Sequence, residues 1–272
     1  LSASDLVRNF LLMKLDSDKQ SRLYQEYWVK MERIFTTNTF ADFIRFYLTM
    51  QMHKMINKTK IYPLYKEFYH GQGLDSEEAL ADLYRFAIFY DQLIHAETGI
   101  QELNPILRHI NAMDSRVVYP YFFMMLEMAS TGEVSQDNVV EVARIMESYL
   151  FRLKACQLPT NGLNRMVIAL CDKTKAAGDY RARLVSLLNT SFPDDKKFAD
   201  SLMNVNLYSL RNNLAKLALV VLEESRTKET IDFDDAQVEH IMPQRLNNDW
   251  RIELPNANRI NEELGGVIGN LT

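Results

Sequence analysis

Cysteine is scarce: Cys156 and Cys171 are the only two in 272 residues. That excludes a disulfide framework, and their separation excludes a Cys-x-x-Cys metal pair. Both fall in helix-like stretches and read as packing residues. A reducing, cytoplasmic setting follows as the expectation. Long apolar runs are also missing. Clean runs such as residues 217–222 are far short of the roughly 20 residues that span a bilayer, so no membrane partner is expected. The opening Leu1-Ser2-Ala3-Ser4-Asp5 lacks the charged and apolar regions of a signal peptide. It begins on Leu rather than Met, which points to a piece of a longer protein. No fixed-period repeat is present, so a solenoid is excluded. Strand-like alternation is nearly absent.

What is present is helical periodicity. Asp75-Ser76-Glu77-Glu78 has capping-box spacing. Leu80, Leu83, Ala87, Tyr90 and Ile94 follow at three- and four-residue steps, with Gly99 as the expected stop. Ser135 caps a second clear case, in which Val139, Val142, Met146, Leu150 and Leu153 form one apolar stripe. Further helices are expected at 4–14, 18–35, 39–55, 60–69, 102–112, 116–131, 162–177, 179–189, 195–203 and 207–224. The run from Val117 to Leu126 is apolar on all sides and reads as a buried helix, with Pro120 in its first turn. The fold class is therefore mainly α, an irregular multi-helix bundle.

Composition changes after Glu224. Residues 225–230 form a polar linker, and three of the nine glycines fall in the last eight residues. Residues 237–241 and 267–271 are short and branched enough to be strands. Between them lies an Asn-rich polar loop with Trp250 as its large apolar anchor. The expected domains are 1–228 and 229–272. Net charge is −5, from 31 basic and 36 acidic residues. Nine acidic residues and three arginines fall in 229–272, leaving 28 basic and 27 acidic groups before it. So acidic a tail repels phosphate and cannot hold nucleic acid by charge alone.

Several patterns carry little chemistry. Gly265-Gly266-Val267-Ile268-Gly269 lacks the strand–loop–helix context and the Gly-Lys-Ser/Thr ending of a phosphate loop. His53, His70, His95 and His109 lie on separate expected helices without i, i+4 partners, so no zinc motif emerges. His53, Lys54, Lys58 and Lys60, and again Lys173, Lys175, Arg181 and Arg183, read as solvated helix ends before they read as phosphate contacts.

One constellation does carry chemistry. Val238-Glu239-His240-Ile241-Met242-Pro243-Gln244 ends an expected strand, and Ile268-Gly269-Asn270-Leu271-Thr272 follows about thirty residues later. An imidazole titrates near neutral pH and can take a proton from water. A neighbouring carboxylate is an oxygen ligand for a hard cation such as Mg²⁺ or Mn²⁺. Adjacent strand residues face opposite ways, so Glu239 and His240 can share a site only where the strand ends or twists. Pro243 is consistent with such an end.

Glu-His-Ile-x-Pro-Gln, the downstream Trp and Gly-Asn-Leu-Thr together resemble the C-terminal domain of GmrSD-type, modification-dependent restriction endonucleases, of the HNH or His-Me finger group. The resemblance implies His240 as general base, Glu239 as metal ligand, and Asn270 as the residue that braces the loop or orients the histidine. It implies an HNH-like ββα-metal segment, incomplete because the chain stops at Thr272, so that the fragment by itself need bind no ion and is expected to be inactive. It also implies DNA, most readily modified phage DNA, as substrate, and a ParB-like nucleotide-hydrolysing N-terminal half that this sequence does not include. The segment Leu1 to Leu11 and the stretch Leu207 to Leu222 resemble the family more loosely. A rival expectation is a non-catalytic helical interaction or regulatory module with a remnant nuclease-like tail.

Overall fold

The computed structural model describes residues 1–172, 178–227 and 235–272. Lys173, Lys175, the end of the linker at 228–230 and the boundary at 228/229 lie outside the described residues. Those described are mainly helical, and no helix among them is long and apolar enough to cross a membrane.

Contacts divide the chain into two compact units. The first comprises Leu1–Leu107, Arg116–Ala143 and Asn161–Leu187. Its core is aromatic. Phe35 stacks on Phe43 at 4.9 Å, and Phe43 meets Tyr90 and Phe123 edge-on at 5.8 and 6.2 Å. Burying each such ring contributes about 1.5–3 kcal/mol, with roughly 1 kcal/mol more from ring geometry. The helix Tyr119–Ser130 is buried on every side, as its unbroken apolar run predicts.

The helix Ser76–His95 begins as expected. The Asp75 carboxylate accepts from the backbone N–H of Glu77 and Glu78 at 2.8 and 2.9 Å, and the Glu78 carboxylate accepts from Asp75 N at 2.9 Å. It stops at His95 rather than near Gly99, because Ala96 turns left-handed (φ 53°) and closes the end. The hydrogen bonds from Glu78 and Glu77 hold the Asp75 carboxyl below its ordinary 3.8. Asp75→Ala should cost about 1 kcal/mol at neutral pH, towards the lower end of capping values because the site is exposed. A depressed carboxylate stabilises fully above its unfolded value and loses that contribution as pH falls through the folded one. The gap in denaturation midpoint between wild type and Asp75→Ala should therefore narrow in acid below 3.8.

The expected helix over 18–35 is interrupted. A π-turn at Tyr24–Trp28 joins Ser17–Leu23 to Val29–Ile34, and the buried Trp28 indole donates to Glu32 at 2.9 Å. In the expected basic stretches, Lys54 pairs with Glu67, Lys58 with Asp42 and Arg181 with Glu141. These are helix-end ion pairs. Burial pushes the Cys171 thiol up to about 12, which suits a packing role.

The second unit comprises Arg108–Ser115, Arg144–Thr160 and Leu188–Thr272. Arg152 ties it together. Its guanidinium donates to Pro193 O at 2.9 Å and Asp195 at 2.6 Å, and it lies over the rings of Phe192 and Phe198. His109, which has no motif partner in the sequence, has Glu147 on Nδ1 and Glu224 on Nε2.

The expected helix 207–224 is broken. Leu207–Ser209 is one 3₁₀ turn, and the α-helix runs only over Leu214–Glu224. Asn212 and Asn213 between them adopt φ 66° and 50°, a region that Asn tolerates better than most residues. The Asn212 amide there donates to Met113 O at 3.1 Å.

The tail also differs from expectation. Among the described residues there are no strands. Residues 237–241 hold one antiparallel bridge among the described residues, His240 to Leu271, and the chain bends at Ile241. Residues 267–271 are not a strand because a 3₁₀ turn, Ile268–Asn270, takes their N–H groups locally: Asn270 N donates to Val267 O and Leu271 N to Ile268 O. The expected polar loop holds two short helices, Asn248–Glu253, capped by the Asn247 side chain, and Ala257–Leu264. Trp250 is half-buried on the first of these.

Candidate active site

The two motif segments meet. Glu239 and Thr272 exchange both backbone hydrogen bonds, at 2.8 and 3.0 Å, and Ile241 N donates to Asn270 O at 2.9 Å. His240 and Leu271 therefore form the non-hydrogen-bonded pair between them, with side chains on one face. Burial alternates along the segment: Glu239 is exposed, His240 half-buried, Ile241 exposed and Met242 buried. Glu239 thus faces outward, while His240 shares the inner face with Leu271 and Met242.

Asn270 is the brace. Its side-chain oxygen accepts from Met242 N at 2.8 Å, and its amide donates to Met242 O at 3.1 Å and Gly265 O at 2.9 Å. The side chain is spent on backbone and makes no hydrogen bond to the imidazole. The Asn261 amide adds a second tie, donating to Pro243 O at 2.9 Å.

The His240 ring is met from two sides. The Tyr208 ring stands against it at 4.5 Å and 78°, and the Gln244 amide nitrogen lies 3.3 Å from its Nε2. Gln244 closes the histidine motif, whereas Tyr208 lies outside it and does not stand out as a site residue in the sequence. Tyr208 is brought in by its own backbone N–H, which donates to Gly266 O at 3.2 Å. Gly266 permits that approach, since a Cβ there would sit 1.9 Å from Asn206 Oδ1. That oxygen is committed, accepting from Ser209 N at 3.0 Å to cap the 3₁₀ turn. Gly266→Ala should therefore loosen the tail by about 1–3 kcal/mol, as overpacking does. Asn206→Ala should relieve the clash, so that adding it to Gly266→Ala costs less than the two single changes together. Urea denaturation of the four proteins measures this; strict additivity would contradict the account.

No group of three His, Cys, Asp or Glu side chains among the described residues is arranged to hold a metal ion. Glu239 offers one exposed carboxylate. That suits only a hydrated hard cation taking one protein ligand together with water and substrate phosphate, as Mg²⁺ often does.

In comparisons with known proteins, residues 192–272 match the family described as GmrSD restriction endonucleases, C-terminal domain. No curated protein matches the chain. The matched stretch begins beside Phe192 and Pro193, where Arg152 gathers the second unit, and runs through the bridge to Thr272. The C-terminal region of this chain is of the GmrSD restriction-endonuclease type.

Proposed function

We propose that the protein carrying this chain hydrolyses DNA phosphodiester bonds with a divalent cation, restricting modified phage DNA in the cytoplasm. The observation that supports this best is the docking of residues 239–242 on 270–272 by Asn270, inside the family-matched region, with the His240 ring left half-exposed. In this reading His240 takes the proton of the attacking water. Asn270 fixes the backbone at Met242, two residues beyond the ring. Glu239, whose carboxylate is exposed, holds the ion. A bound Mg²⁺ or Mn²⁺ would supply stabilisation of charge on the phosphate and leaving oxygens. In this reading residues 229–272 are the counterpart of an HNH-like ββα segment, residues 1–228 are the helical domain before it, and a ParB-like nucleotide-hydrolysing half belongs to the same protein. Because 229–272 is acidic, the basic groups that hold DNA lie elsewhere in the protein.

The test is cleavage of modified and unmodified phage DNA by the full-length protein with Mg²⁺, Mn²⁺ or EDTA. Metal-dependent cutting that favours the modified DNA is expected. Intact DNA under every condition would favour the second reading, a helical interaction module with a remnant tail, to which the lack of a three-ligand cluster among the described residues lends weight.

A further inference from the structure

We infer that Tyr208 is a positioning residue for His240, holding the imidazole in one orientation from outside the histidine motif. The inference rests on the proposed role of His240 as the base. A half-buried side chain on a segment with one bridge, next to solvent on one side, has several rotamers open to it. His240 is restrained at two points instead. Tyr208 meets its ring in a T-shaped contact at 4.5 Å, and Gln244 engages Nε2 at 3.3 Å. An aromatic pair at this angle has a preferred geometry, so the contact fixes the plane of the ring and not only its place.

Tyr208 is itself fixed. Leu207 before it is fully buried, and Asn206 caps the turn through Ser209 N, whose hydroxyl in turn donates to Asn206 O at 2.9 Å. The Tyr208 N–H is bonded to Gly266, four residues from the Asn270 brace. One turn therefore reads the position of the tail and presents a ring to the histidine at the same time. The tyrosine is 47 % exposed, so the core does not require it. Its hydroxyl forms no hydrogen bond with the imidazole, and the contact needs the ring alone.

That separates the ring from the hydroxyl experimentally. Tyr208→Phe keeps the contact, Tyr208→Ala removes it, and Tyr208→Leu keeps apolar bulk without a ring. Two readouts are needed: the chemical shifts of the His240 ring protons, and single-turnover cleavage of DNA that the wild type cuts. In Tyr208→Phe both should stay near wild type. In Tyr208→Ala and Tyr208→Leu the ring-current shift should vanish. The maximal rate should fall about 10- to 100-fold, as displacing a catalytic group by about an ångström does, while KM changes little. Unchanged His240 shifts in both ringless variants would overturn the contact. Lost shifts with an unaltered rate, or a change confined to KM, would overturn the positioning role. Undiminished cutting by His240→Ala would remove the base and the positioning role with it. The chemical shifts do not depend on cleavage, so they report separately whether the contact itself exists.

Discussion

Asn270→Ala should unfold the tail locally while the aromatic unit stays intact. The substitution removes three hydrogen bonds at once and leaves Met242 N–H, Met242 O and Gly265 O without their partner. Each lost bond costs about 1 kcal/mol net, and leaving part-buried groups unpaired adds to it. About 2–4 kcal/mol is the expected total. Little else in the tail can absorb that. Among its described residues the buried apolar side chains are few, chiefly Met242, Ala257, Val267 and Leu271, and the pairing is a single bridge. Hydrogen exchange read peptide by peptide should show lost protection over 239–242 and 265–272, with the helix Tyr119–Ser130 unchanged. Asn270→Asp should do no better, because a carboxylate would face two carbonyl oxygens. Wild-type exchange in Asn270→Ala would mean that the side chain does not brace these segments.

His240→Ala should act in the opposite way, with a large loss of cutting and almost none of structure. General acid–base groups contribute about 10²–10⁴-fold in rate, and that is the expected fall. The bridge at residue 240 is made by the backbone of its neighbours and does not use the ring. Hydrogen exchange in the tail should therefore match wild type. The two variants separate architecture from chemistry: both lose cleavage, but only Asn270→Ala loses protection.

The fold was legible where its causes are local. Asp75 and Glu78 lie within one helical turn of each other, so their capping box is written in four residues. The run from Val117 to Leu126 has no polar face, and burial follows. The tail motif was legible as residue types and spacing, and the structure pairs its two segments through the His240–Leu271 bridge and the Asn270 bonds to Met242. What was not legible depends on contacts distant in sequence or on backbone choices that spacing does not encode. Asn212 and Asn213 have ordinary helix-compatible neighbours, and only their left-handed φ separates the 3₁₀ turn from the helix Leu214–Glu224. The branched stretch 267–271 has strand-like residues, yet its N–H groups are taken by a 3₁₀ turn before they can pair across. The Asn-rich stretch conceals a capped helix, because Asn247 both favours turns and satisfies Trp250 N. His109 carries no motif, and its two carboxylates come from positions 147 and 224. Tyr208 meets His240 where its N–H bonds Gly266 O and the bare Gly266 Cα leaves room for the Asn206 side chain.

Chemical rescue asks most directly whether the ring of His240 does the work. His240→Gly in the full-length protein opens the half-buried place of the imidazole beside Tyr208, and imidazole added to the reaction can occupy it. Cleavage should return with rising imidazole in His240→Gly and should not return in Asn270→Ala, where the scaffold is gone. Cutting by His240→Gly at the wild-type rate without imidazole would contradict the account.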